Sequence, residues 1–117
     1  EELLGNRRGQ AIALGNLGNA YRADDKVEQA IHYLRRALTL YEELNMLAGQ
    51  AAALGNLGSC YRTVGDYDAA ADHLQRALSL HRQVGLAGDH PTILRIRSLL
   101  SRCGPLALDE IPRTSTL

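Results

Sequence analysis

Apolar residues fall along this chain in short stripes of helical period, and the stripes recur. Leu14, Leu17, Gly18 and Tyr21 stand at i, i+3, i+4 and i+7. That spacing marks one face of a 3.6-residue period and predicts a helix over residues 9–22. Val27, Ala30, Ile31, Leu34, Ala37, Leu38 and Tyr41 form a broader stripe and predict a second helix over about 26–44, with Glu28, Arg35, Glu42 and Glu43 turned away from it. Leu54, Leu57, Gly58 and Tyr61 repeat the first pattern over 49–62. Tyr67, Ala70, Ala71, Leu74, Ala77 and Leu78 repeat the second over about 66–84. Ile93, Ile96 and Leu100 begin it a third time, at an offset of 39 from Leu54, Leu57 and Tyr61. No stretch alternates with the period of a strand.

Between the stripes lie turn and cap residues. Ala23-Asp24-Asp25 reads as a turn with an Asp suited to cap the next helix. Gly65-Asp66 pairs a left-handed C-cap with an N-cap. Gly88-Asp89-His90-Pro91 opens a fifth helix, with Asp89 as the expected cap and Pro91 tolerated in the first turn. Gly104-Pro105 closes it, and Pro112 interrupts the place where a paired helix would continue.

The recurrence is exact in length. GQAIALGNLGNAYR, residues 9–22, returns forty residues later as GQAAALGNLGSCYR, residues 49–62. From Gly9 and Gly49, 17 of the 40 paired positions are identical. A fixed period of this length predicts stacked structural repeats. The units run over residues 9–48, 49–87 and a degenerate half-unit at 88–104, followed by a tail or cap at 105–117. Residues 1–8 align with Tyr41–Ala48. They are expected to be the end of a preceding repeat's helix, with further repeats upstream.

These residues resemble tetratricopeptide repeats in a forty-residue, Leu-Gly-Asn-rich form. The resemblance implies an all-α fold, a right-handed solenoid of antiparallel helix pairs with a concave inner surface. It also implies that a small residue on the first helix packs against an Ala on the second. Gly18 with Ala30 and Gly58 with Ala70 occupy those places, whereas Arg97 stands there in the third unit. The physics agrees. A Gly inside a helix costs about 1 kcal/mol against Ala, and close approach of two helices at Gly18 and Gly58 is the natural compensation. Gly15 and Gly55 lie off that seam, where they would let a ligand backbone come near. The Leu-Gly-Asn triplets at 4–6, 14–16, 17–19 and 54–56 look like those of adaptors that link G-protein subunits to spindle-orientation proteins. They look equally like the arrays of bacterial signalling ATPases and transcription activators. Gly88-Asp89-His90-Pro91 is similar to repeat junctions in kinesin light chains.

A second face of the first helix carries Ile12, Gly15, Asn19 and Arg22, matched by Ala52, Gly55, Ser59 and Arg62; Asn16 and Asn56 border it, and Arg95, Ser98 and Arg102 fall nearby in the third unit. In the resembled fold this face lines the concave groove. Asn amides both donate and accept, so they suit an extended peptide backbone. Arg offers a planar fork to carboxylates. The expected peptide-binding set is therefore Asn16, Asn19, Arg22, Asn56, Ser59, Arg62, Arg95 and Arg102, and the expected ligand an extended segment bearing Asp or Glu. Arg22 and Arg62 also read as solvated charges at helix ends, and Asn16 and Asn56 as scaffold hydrogen bonds between repeats.

Composition narrows the classes. Lys plus Arg and Asp plus Glu are each 13 and the formal charge is zero, which does not suit a general polyanion binder. With no Trp or Phe there is no stacking platform for bases beyond five Tyr, so no nucleic acid is expected. No apolar run approaches the roughly 18 residues a membrane span needs. His32, His73, His81 and His90 lack metal-ligand spacing, and His81 stands where Tyr41 stands in the first unit. No phosphate loop, nucleophile elbow or zinc-protease signature is present, so neither catalysis nor a cofactor nor a metal is expected. Cys60 and Cys103 read as small buried thiols in a reducing, cytoplasmic compartment. The acidic-apolar stretch Leu108-Asp109-Glu110-Ile111 could occupy the groove of its own or a neighbouring molecule, and the ending Ser115-Thr116-Leu117 resembles ligands of PDZ domains. The functions expected are a protein-interaction scaffold or, alternatively, a regulatory or self-assembling module of a larger signalling protein. Self-association through uncapped stack ends is part of the latter.

Overall fold

A computed structural model describes residues 2–103. Five helices make up the described residues: α1 (Glu2–Ala23), α2 (Val27–Glu43), α3 (Leu47–Thr63), α4 (Tyr67–Gln83) and α5 (Pro91–Ser101). Each packs on the next, giving an elongated body of 56 × 31 × 20 Å. Neighbours run antiparallel. Gly18 of α1 meets Leu34 of α2 while Gly15 meets Tyr41, so position rises along one helix as it falls along the other. Gly58 meets Leu74 and Ala70 between α3 and α4, as Gly18 meets Leu34 between α1 and α2. This is the all-α solenoid of helix pairs that the period predicts.

The seam glycines explain the spacing. A Cβ on Gly18 would stand 2.7 Å from Leu34 Cγ, and one on Gly58 would stand 2.5 Å from Leu74 Cγ. Only a residue without Cβ lets the two backbones approach so closely. Ala30 and Ala70, both fully buried, continue the seams. The core then has three clusters. Ala11, Leu14, Ala37, Tyr41 and Ala53 join α1, α2 and α3. Ala30, Leu34, Leu57 and Cys60 join α2 to α3. Leu54, Ala70, Ala71, Leu74, Ala77, Ile96, Leu100 and Cys103 join α3, α4 and α5. No charged or polar residue is buried among the described residues, so the stack is held by aliphatic contact.

Four helix ends share one device. After α1, the Lys26 N–H donates to the Tyr21 carbonyl at 2.9 Å and the Asp25 N–H to the Arg22 carbonyl at 3.1 Å. The same pair of bonds closes α2 through Met46 and Asn45, α3 through Asp66 and Gly65, and α4 through Leu86 and Gly85. This is the Schellman motif, which needs a left-handed residue in the turn. Gly65 and Gly85 supply it at φ +88° and +98°, and Asp25 and Asn45 at φ 60° and 55°.

Several expectations change here. Asp25 does not cap α2: it takes the left-handed position, and Lys26 precedes the helix with no side-chain cap bond. Asp66, one register later, does cap α4 by accepting from the Ala69 N–H at 3.2 Å. His90, not Asp89, caps α5, its Nδ1 accepting from the Thr92 N–H at 3.1 Å. Residues 2–8 are the first turns of α1 and not the end of a separate helix. Tyr41 and Met46 anchor the turn between α2 and α3 in the core, whereas the aligned positions carry Glu1 and Asn6. Without an apolar anchor the helix runs through. Leu17 and Tyr67, assigned to core stripes, are 40% and 48% exposed. Leu57, the equivalent of Leu17, is fully buried because α2 covers it; no helix lies on that side of α1 among the described residues. The expectations for the tail, including Leu108–Ile111 and Ser115–Leu117, fall outside the described residues.

Candidate functional site

The candidate groove face is carried by α1, α3 and α5. Arg22 and Arg62 occupy the last turns of α1 and α3. Each reaches toward the next first-type helix. The Arg22 charge opposes the effect of burial on the Cys60 thiol, and Arg62 does the same for Cys103. Burial remains the larger influence and pushes both thiols up, which makes them inert, buried sulfurs.

Both arginines are half-buried, and the Nε of each is shut off from solvent with no hydrogen-bond partner among the described residues; the same holds for Asn19 Oδ1. Nor do Arg22, Arg62, Arg95 and Arg102 make an ion pair among the described residues. Other cations do: Arg7 pairs with Glu43, and Arg76 reaches Glu42 at 3.7 Å. The groove face thus carries four arginines without an acidic partner among the described residues, on a chain of zero formal charge.

The remaining expected residues separate. Asn56 and Arg95 meet across one pocket of about 240 Å³, which Ala51, Ala52, Gly55, His81, Thr92 and Ile96 also line. Ser59 is half-buried, and its carbonyl accepts from the Thr63 hydroxyl at 3.0 Å. Asn16 is exposed. Arg102 is exposed at the end of α5 and is not brought to Asn56 or Arg95. Gly15 does not lie open to a ligand, because a Cβ there would meet the Tyr41 hydroxyl at 3.1 Å. Gly55 is buried at the floor of the pocket, yet a Cβ there would meet nothing within 4 Å. Two larger hollows measure about 420 and 300 Å³. The first is walled by α2 alone and the second by α1 and α2, so neither gathers groups from successive repeats.

His81 and Thr92 were not among the residues expected at the site. The difference between His81 and Tyr41, forty residues apart at equivalent positions, was the available signal. Burial first, then the charges of His90 and Arg95, push the His81 imidazole below its ordinary range, favouring the neutral ring. Among the described residues no three His, Cys, Asp or Glu side chains gather as a metal site would require.

A ladder of antiparallel helix pairs with an open, donor-rich face defines a helical-repeat protein, a class that works by presenting a surface. Family models described as tetratricopeptide repeat match residues 11–45 and 49–103, and the chain belongs to the tetratricopeptide repeat family. No curated protein matches it. Repeats of this family generally mediate protein–protein interaction, and proteins built from them are typically scaffolds without catalysis.

Proposed function

We propose that this chain is a protein-interaction scaffold whose groove face, built from α1, α3 and α5, binds an extended acidic segment of a cytoplasmic partner. The observation that carries this reading is the recurrence of half-buried Arg22 and Arg62 at equivalent helix ends, neither in an ion pair among the described residues. A guanidinium with no acidic partner of its own can take a carboxylate through its terminal nitrogens. Asn19 and Asn56 add amides that bond a peptide backbone whatever its sequence. Affinity capture followed by mass spectrometry tests the reading, with wild type beside Arg22→Glu/Arg62→Glu and both checked as folded by circular dichroism. A partner retained by wild type and lost by the double variant supports the groove. A partner indifferent to the reversal overturns it.

A second reading, a module that stacks on further repeats of a larger signalling protein, is favoured by α1. Ala13, Leu17 and Ala20 are exposed there, while the equivalent Ala53, Leu57 and Cys60 are buried under α2. Blocked copy-to-copy association in Leu17→Lys, read by sedimentation, supports self-assembly through that face.

A further inference from the structure

The two full repeats differ at one place where they would be expected to match. In the first, the Tyr41 ring packs on Gly49 of α3 and brings its hydroxyl to Gly15 of α1. In the second, the equivalent position is His81, and the space above Gly55 is open. The neighbouring walls change in the same direction. Ile12 gives way to Ala52, which removes bulk. At the offset of 39 that relates α5 to α3, Ala53 gives way to Thr92 and Asn56 to Arg95, which add a hydroxyl and a guanidinium. Each of these four differences enlarges the second site or adds a polar group. None of the residues lining the result is Asp or Glu.

We propose that the pocket over Gly55 is a socket for a single Asp or Glu side chain of the bound segment, and that Tyr41 closes the corresponding place in the first repeat. The inference rests on the groove reading above and adds the position at which an acidic residue is anchored. Arg95 presents the charge, the Asn56 amide and the Thr92 hydroxyl donate hydrogen bonds, and Gly55 lets the segment come close because no Cβ stands in the way. His81 forms the remaining wall. A carboxylate in the socket favours its protonated form, opposing the influence of Arg95 and His90, the charged or titratable groups that act on it from the α5 side. Binding is therefore tighter at pH 6 than at pH 8.

The test uses the full chain labelled with ¹⁵N and two blocked pentapeptides, Ala-Ala-Glu-Ala-Ala and its Gln counterpart, acetylated and amidated. The expected result is a saturable shift of the Gly55 amide and the Asn56 side chain with the Glu peptide. The Gln peptide should bind at least about tenfold more weakly, as loss of a charge-assisted contact implies. His81→Tyr installs the residue of the first repeat and should weaken the Glu peptide by about tenfold or more. Ala52→Ile, at an exposed helix position, narrows the socket from another wall and should do the same without reliance on the first variant's folding. Equal shifts with Glu and Gln peptides would overturn the proposal, as would a Glu-peptide affinity unchanged in both variants. Arg22→Gln/Arg62→Gln separates the two readings, since neither residue lines the pocket. Loss of binding there, with His81→Tyr and Ala52→Ile unaffected, upholds the groove and removes the socket.

Discussion

Gly55 and Gly58 lie one turn apart on α3 and should respond to alanine in opposite directions. Alanine in a helix interior is favoured over glycine by about 1 kcal/mol. At Gly55 the new methyl meets nothing within 4 Å, so Gly55→Ala should raise stability by about 0.5–1 kcal/mol. At Gly58 the methyl would stand 2.5 Å from Leu74 Cγ, 2.7 Å from Leu74 Cδ2 and 3.3 Å from the Ala70 carbonyl oxygen. Carbon atoms rest at about 3.5–4.0 Å, so Leu74 must retreat by about 1 Å. It has no free space, being fully buried among Leu54, Ala70, Ala77 and Ile96. Overpacking of this kind costs about 1–3 kcal/mol. After the helix gain, Gly58→Ala should lose up to about 2 kcal/mol. Urea unfolding followed by circular dichroism reads both. At a slope of about 1–3 kcal/mol per molar urea, the two midpoints should lie about 1 M apart, on either side of wild type. Gly18→Ala should behave like Gly58→Ala, because Leu34 Cγ lies 2.7 Å from its Cβ position. A Gly58→Ala midpoint at or above wild type, with the slope unchanged, would refute the close seam as the reason for glycine there.

Three further outcomes follow from single positions. Leu57→Ala should cost about 2–5 kcal/mol, and Leu17→Ala less than half as much, since Leu17 is 40% exposed and Leu57 is fully buried; the same urea series compares them. Asp25→Gly should stabilise by up to about 1 kcal/mol by relieving a left-handed residue at φ 60°, whereas Asp66→Ala should lose about 1 kcal/mol with its bond to the Ala69 N–H. His81 gives a pH dependence. Its folded pKa lies below the unfolded value, so the unfolded chain binds the proton first. Stability should therefore fall as pH drops below about 6.5 and level off once the folded imidazole is also protonated. His81→Gln should flatten that slope in urea titrations at pH 7.5 and 5, and an identical slope would contradict the assignment.

The period, the stripes and the seam were legible because an internal repeat supplies its own alignment. Two copies of Leu-Gly-Asn-Leu-Gly place the costly glycines in register, and a cost repeated at one position implies a packing reason. What the pattern could not show depends on neighbours. Leu17 and Leu57 are the same residue in the same pattern, yet among the described residues only α3 has a helix covering that face. Asp25 and Asp66 look alike as caps but differ by one register, which puts Asp25 opposite the left-handed Gly65. At the groove, Arg22 and Arg62 could be picked out by chemistry and recurrence. The pocket could not, because it depends on how far Tyr41 reaches and where His81 stops short.

Selection from a displayed library of random twelve-residue peptides tests most directly the claim that the groove binds an extended acidic segment. The account predicts enrichment of sequences with one or more Asp or Glu in an extended, proline-tolerant context. Their affinity for wild type should fall by about tenfold or more in Arg22→Glu/Arg62→Glu, and calorimetry on the synthesised peptides would measure it. Enrichment without acidic residues, or peptides that bind the charge-reversed chain equally well, would contradict it.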